Sequence, residues 1–192
     1  RSLLAKADLV FNENCTSCNV QINSTLTVSS LRMTKGFNGV IEQNAGVTVI
    51  PASNWSPNTR NSTDLVPDGY SFMQESGTYK VFSGNLKVTA GDVSFFPGRD
   101  PLNNMIAFKV TGGTFEGNSG SAIEAAPGIA ISPNANFQLN NAPVTLAEDH
   151  WSWQLKGIDA PNVNFKDLHI KVRGGVAFWS KISAENLYWD QW

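Results

Sequence analysis

Apolar and polar residues alternate in short runs along nearly the whole chain. Val20, Ile22, Leu26 and Val28 are interleaved with Gln21, Asn23, Thr25 and Thr27, the two-residue period of a strand with one face in a core and one in water. The pattern returns at Val47 and Val49, Tyr79 and Val81, Leu86 and Val88, Val93 and Phe95, and Phe108 and Val110. Later it recurs at Ile129 and Ile131, Phe137 and Leu139, Val144 and Leu146, Val163 and Phe165, and Ile170 and Val172. No long segment repeats apolar residues at spacings of three and four, so almost no helix is predicted.

The distance between runs carries more information than the runs. Tyr79, Leu86 and Val93 lie seven residues apart, as do Phe108, Phe115, Ala122 and Ile129. Phe137 to Val144 and Val163 to Ile170 repeat that step. A hairpin-built sandwich places its turns about every 8–12 residues, so seven is short for one. A chain that bends at corners and returns above itself fits better, and three such sides give a coil of about 21 residues, within the range of solenoid repeats. Ser83-Gly84-Asn85, Ala90-Gly91-Asp92, Thr111-Gly112-Gly113 and Glu116-Gly117-Asn118 fall between apolar positions and are read as corners, because Gly and Asn accept the backbone angles of sharp bends. The predicted class is all-β, a parallel β-solenoid (β-helix), with a β-sandwich as the alternative.

Two stretches break the rhythm: Pro51 to Gly69, read as an excursion loop, and the shorter Pro97 to Asn104. Neither resembles a domain boundary. The expectation is one domain over residues 1–192, with an N-terminal strand and Cys loop over 1–19, the excursion at 51–69, and a Trp-rich part over 134–192.

Composition narrows the function classes. Charged residues make up 16% of the 192, against about 25% in an average protein, and polarity comes from Asn, Ser, Thr and Gly, as is common outside cells. Net charge is −2, and the densest basic run, Lys166 to Arg173, is diluted, which gives no support for electrostatic nucleic-acid binding. No apolar run approaches the roughly 20 residues of a membrane helix, so no membrane insertion is expected. The start, Arg1-Ser2-Leu3-Leu4, is read as that of a processed chain or of a fragment of a longer one.

The two cysteines form Cys15-Thr16-Ser17-Cys18. Zinc needs about four ligands, and His150 and His169 are far along the chain. A redox Cys-x-x-Cys opens a helix in a βαβ unit, whereas the flanks Leu9-Val10-Phe11 and Val20-Gln21-Ile22 read as strands. The preferred reading is a local Cys15–Cys18 disulfide pinning a turn, which implies an oxidising compartment.

The segment from Ser24 to Val49, with Phe72-Met-Gln-Glu-Ser-Gly-Thr-Tyr79, Ser83-Gly-Asn-Leu-Lys-Val88 and Val110-Thr-Gly-Gly-Thr-Phe115, resembles repeat units of large bacterial surface proteins. The likeness covers about half of the chain, residues 20–50 and 70–116. It implies an extracellular β-solenoid of the adhesin or autotransporter-passenger kind. From Asn134 onward the chain departs from that pattern and is richer in Trp.

Candidate sites follow. Trp151, Trp153, Trp179, Trp189 and Trp192 are five of six tryptophans, joined by Phe178 and Tyr188. They are read first as a cap on the solenoid end or a self-association interface, and second as a carbohydrate-stacking platform. Leu9, Val10 and Phe11, following Leu3 and Leu4, are candidates for strand exchange between subunits. Glu148-Asp149-His150-Trp151, with Asp159 nearby, is the best place for the carboxyl pair that glycoside cleavage requires; the plainer reading is a solvated turn of adjacent acids. No Gly-x-Ser-x-Gly, His-Glu-x-x-His or calcium nonapeptide motif occurs, so neither cofactor nor metal is expected. Sequons at Asn14, Asn23, Asn54 and Asn61 arise readily in so Asn- and Thr-rich a chain.

The expected function is an extracellular structural or adhesive module, secreted or at the cell surface, self-associating into a fibre or surface layer. Its expected partners are copies of itself and surface glycans. The alternatives are a carbohydrate-binding or polysaccharide-cleaving β-helix of the tailspike kind, and a pilin-like sandwich polymerised by strand donation.

Overall fold

A computed structural model describes residues 7–15, 18–50, 71–89, 107–126, 128–147, 155–174 and 176–191, with the side chains of 155–157 and 177 excepted. Each short alternating run forms one strand, and the chain turns a corner before the next. The first coil is β1 (Asp8–Phe11), β2 (Asn19–Ile22) and β3 (Leu26–Val28); the second is β4 (Ser30–Met33), β5 (Val40–Gln43) and β6 (Val47–Val49). The third is β7 (Phe72–Gln74), β8 (Thr78–Val81) and β9 (Gly84–Thr89), and the fourth β10 (Phe108–Val110), β11 (Thr114–Asn118) and β12 (Ser121–Ala126). The fifth is β13 (Gly128–Ile131), β14 (Asn136–Asn140) and β15 (Val144–Ala147). The last two coils have two described strands each: β16 (Leu155–Asp159) with β17 (Asn164–Val172), then β18 (Val176–Phe178) with β19 (Ser183–Gln191).

Stacking these coils builds three parallel sheets. Among the described strands, sheet A runs β1-β4-β7-β10-β13-β16-β18, sheet C runs β3-β6-β9-β12-β15-β17-β19, and sheet B holds β2-β5-β8-β11-β14. The fold is the parallel β-solenoid that the spacing predicts. The coil length is visible in side chains that bond straight up the stack: Asn44 donates to Asn23, 21 residues away, at 2.8 Å, and Asn140 donates to Asn118, 22 residues away, at 3.3 Å.

Parallel register puts inward residues in columns. Leu9, Leu31, Phe72, Phe108, Ile129 and Ile158 follow one another in sheet A. Val20, Ile41, Tyr79, Phe115 and Phe137 do so in sheet B. Leu26, Val47, Leu86, Ile123, Val144 and Leu168 do so in sheet C. Rings at consecutive levels stack: Phe72 on Phe108 at 4.6 Å and Phe115 on Phe137 at 4.8 Å between centroids. Two glutamines share this interior. Gln43 accepts from the Tyr79 hydroxyl at 2.8 Å and donates to the Asn85 carbonyl, while Gln74 donates to the carbonyls of Gly77 and Thr114. Each glutamine amide thus donates to backbone carbonyl oxygen from within the core, as buried polar groups generally require.

Several local expectations are corrected. Val20 to Val28 is two strands, β2 and β3, in different sheets, because the chain bends at Asn23-Ser24-Thr25. Ala122 points outward and its neighbour Ile123 fills the column. Glu116-Gly117-Asn118 is not a corner but the end of β11. A Cβ on Gly117 would lie 3.1 Å from Ala142 Cβ and 3.1 Å from Ile123 Cδ1, so the glycine leaves room for its neighbours, and Ser119-Gly120 makes the turn. Ile170 lies in the same nine-residue strand as Phe165, so the seven-residue step from Val163 crosses no corner.

The corner Ala90-Gly91-Asp92, the run Val93 and Phe95, and the stretches Pro51 to Gly69 and Pro97 to Asn104 lie outside the described residues. Their neighbours are described: β6 precedes and β7 follows Pro51 to Gly69, and β9 precedes and β10 follows the others. In each case a strand of sheet C comes before and a strand of sheet A after.

Candidate functional site

The sequence candidates that the structure brings together are at the C-terminal end of the solenoid. Phe178 aligns with Ile158 in sheet A, and Leu187 and Trp189 align with Leu168 and Ile170 in sheet C. Those three partners are fully buried, yet Phe178, Leu187 and Trp189 are 49%, 57% and 48% exposed. They occupy inward columns at the last level described, with nothing described above them. The other inward column positions described are buried or half-buried, so among the described residues this is where the core is most open to solvent. β19 is the last described strand of sheet C and pairs only with β17 among the described strands, so one edge of its nine-residue backbone has no described strand partner. An apolar ledge beside a strand edge with no described partner is a surface onto which further chain can add.

The flanking groups are polar and ordered against the level below. Tyr188 points outward and stacks on His169, centroids 4.4 Å apart and planes 11° from parallel. Asn186 donates to the Asp167 carboxylate at 2.9 Å, and the Ser183 hydroxyl donates to Asn164 at 3.1 Å. Trp179 is exposed, and its backbone N–H donates to the Ile158 carbonyl at 3.0 Å. Leu187 was not among the sequence candidates. The available signal is that Leu187 and Trp189 repeat the spacing of Leu168 and Ile170 one coil earlier.

The other candidates are dispersed. Cys15 and Cys18 form a disulfide, Cα atoms 5.4 Å apart, at the corner between β1 and β2. Leu9, Val10 and Phe11 lie in β1, at the opposite end of the described sheet A; Leu9 and Phe11 are half-buried and Val10 is exposed. The Phe11 ring packs 5.6 Å from Phe37, and within this chain β1 pairs with β4. Asp159 ends β16, half-buried and in register with Ala130. Glu148, Asp149, His150, Trp151, Trp153 and Trp192 lie outside the described residues. Among the described residues, no group of three or more His, Cys, Asp and Glu side chains is placed to hold a metal ion.

Comparison with protein-family models, with curated proteins and with solved structures finds no match for this chain.

Proposed function

We propose that this chain is a structural or adhesive module of an extracellular surface, joined to copies of itself through the end of its solenoid. The observation that carries the reading is the exposure of Phe178, Leu187 and Trp189 in columns that are buried at the level below. Two further features support it. The rest of the described molecule is a stack of short strands tied level to level by outward Asn and Thr side chains, an architecture suited to a rigid spacer. The Cys15–Cys18 disulfide fits an oxidising compartment.

Sedimentation velocity and negative-stain microscopy of the chain over a concentration series test the reading. Reversible association that deepens with concentration is the expected result. A chain that sediments as a monomer throughout sinks it.

A further inference from the structure

Sheet B differs from the other two sheets in what it shows to solvent. Its middle outward column reads Gln21, Glu42, Lys80, Glu116 and Gln138, in register. Beside it, the inward Ile22, Gln43, Val81, Gly117 and Leu139 are aligned. The residue after each of these faces outward again, so the column next to the corner reads Asn23, Asn44, Phe82, Asn118 and Asn140. Over the same five coils the central outward column of sheet C is Thr27, Thr48, Lys87, Glu124 and Thr145. That of sheet A is Val10, Arg32, Met73, Lys109 and Ala130. Neither holds a carboxamide. An Asn-rich composition alone would scatter these groups; here they are concentrated on one face.

We propose that the outer face of sheet B binds a neutral polysaccharide laid across the strands, with one sugar ring stacked on Phe82. The polar side chains are held in place before any ligand arrives. Gln21 donates to Glu42 at 3.1 Å, Gln138 to Asn136 at 3.0 Å, Asn44 to Asn23 at 2.8 Å and Asn140 to Asn118 at 3.3 Å. Groups already ordered lose little freedom on binding. Each carboxamide has two N–H donors and an oxygen with two lone pairs, more than one ladder bond engages, and sugar hydroxyls accept and donate in turn. Phe82 separates the two Asn pairs. A column that only tied levels together would continue with Asn at that position; instead it carries a ring that is 41% exposed. An apolar platform flanked by fixed polar groups is what the face of a pyranose ring and its equatorial hydroxyls require.

Charge and spacing select the occupant. The face carries Glu42, Lys80 and Glu116, with Lys80 and Glu116 paired at 3.5 Å, so no excess of cations attracts sulfate or phosphate groups. Phe82 is the one aromatic among the described outward residues of the face, too little for the anchor cluster of a protein interface. The five strands, about 4.8 Å apart, extend about 19 Å across the face, and donors and acceptors repeated at constant spacing suit a polymer of repeated units. The face lies away from the end-on contact proposed above and works equally in a monomer, so each reading can fail without the other.

Native affinity electrophoresis of the full chain tests the site, through gels containing hydroxyethyl cellulose, glucomannan, galactomannan or laminarin, with dextran sulfate as the anionic control. At least one neutral polysaccharide is expected to retard the chain, and dextran sulfate is not. Phe82→Ala, checked for an intact β signal by circular dichroism, is expected to weaken the retardation about fivefold, and Phe82→Trp to preserve it. Gln138→Ala, at an exposed position five strands' width from β2, gives a second reading that does not touch Phe82, with an expected loss of about twofold or more. Trp179→Ala, in the aromatic group at the other candidate site, is expected to change nothing. The proposal is overturned if no neutral polysaccharide retards the chain, or if dextran sulfate alone does. Retardation that survives both Phe82→Ala and Gln138→Ala also overturns it, and loss in Trp179→Ala instead moves the sugar site to the C-terminal aromatics.

Discussion

Adjacent residues Phe115 and Glu116 test the register of the whole solenoid. Phe115 is fully buried and lies between Tyr79 and Phe137, centroids 5.8 Å and 4.8 Å away, with Phe72 and Phe108 edge-on at 6.0 Å and 5.4 Å. Removing the ring loses its transfer free energy and opens a cavity walled by four other rings that strand pairing holds in place. Core Phe→Ala substitutions cost about 3–5 kcal/mol, and a site that relaxes this poorly belongs near the top of that range. Glu116 faces outward and meets Lys80 at 3.5 Å, with both side chains partly exposed, so Glu116→Ala should cost about 1 kcal/mol or less. Urea unfolding followed by far-ultraviolet circular dichroism measures both, with the midpoint shifts converted through the slope. The ordering is the test. In a strand a slip of one residue exchanges the two faces, so Glu116→Ala costing as much as Phe115→Ala would refute the register of β11 and, through its ladders, of sheet B.

Two further outcomes are expected. Tyr79→Phe leaves the Gln43 carbonyl oxygen without its 2.8 Å donor and should cost about 1 kcal/mol at neutral pH by thermal or urea unfolding. Burial also pushes the Tyr79 hydroxyl pKa well above tyrosine's ordinary value, so the folded state keeps a proton that the unfolded chain releases; stability contributed by Tyr79 is complete below about pH 10 and falls above it, and Tyr79→Phe should lessen that alkaline loss, measured as stability against pH. Gly113 sits at φ 75°, where a Cβ would lie 2.7 Å from the Ser76 carbonyl carbon, so Gly113→Val should lower stability by about 2–3 kcal/mol. Gly46→Ala, whose nearest neighbour would be 4.0 Å away, should change it by less than about 1 kcal/mol, and equal losses at the two glycines would contradict the corner geometry.

The solenoid was legible because its unit is local: one short strand, one corner, and a step that brings the next inward residue about seven positions on. Phe108 and Phe115 show this, falling in sheets A and B of the fourth coil, with Ile129 back in sheet A one coil on. Legibility failed where the same spacing has two causes. Between Phe165 and Ile170 the chain reads Lys166-Asp167-Leu168-His169, with no Gly, Pro, Asn or Ser to turn it, and the strand continues; the period alone does not separate a corner from a long strand. Gly117-Asn118 failed for the converse reason, since a glycine required by close packing reads like a glycine required by a bend. At the candidate site, the aromatic content pointed to the C-terminal end, but assigning Tyr188 to the outside and Leu187 and Trp189 to the column needs the pairing with β17, a relation between coils that composition does not carry.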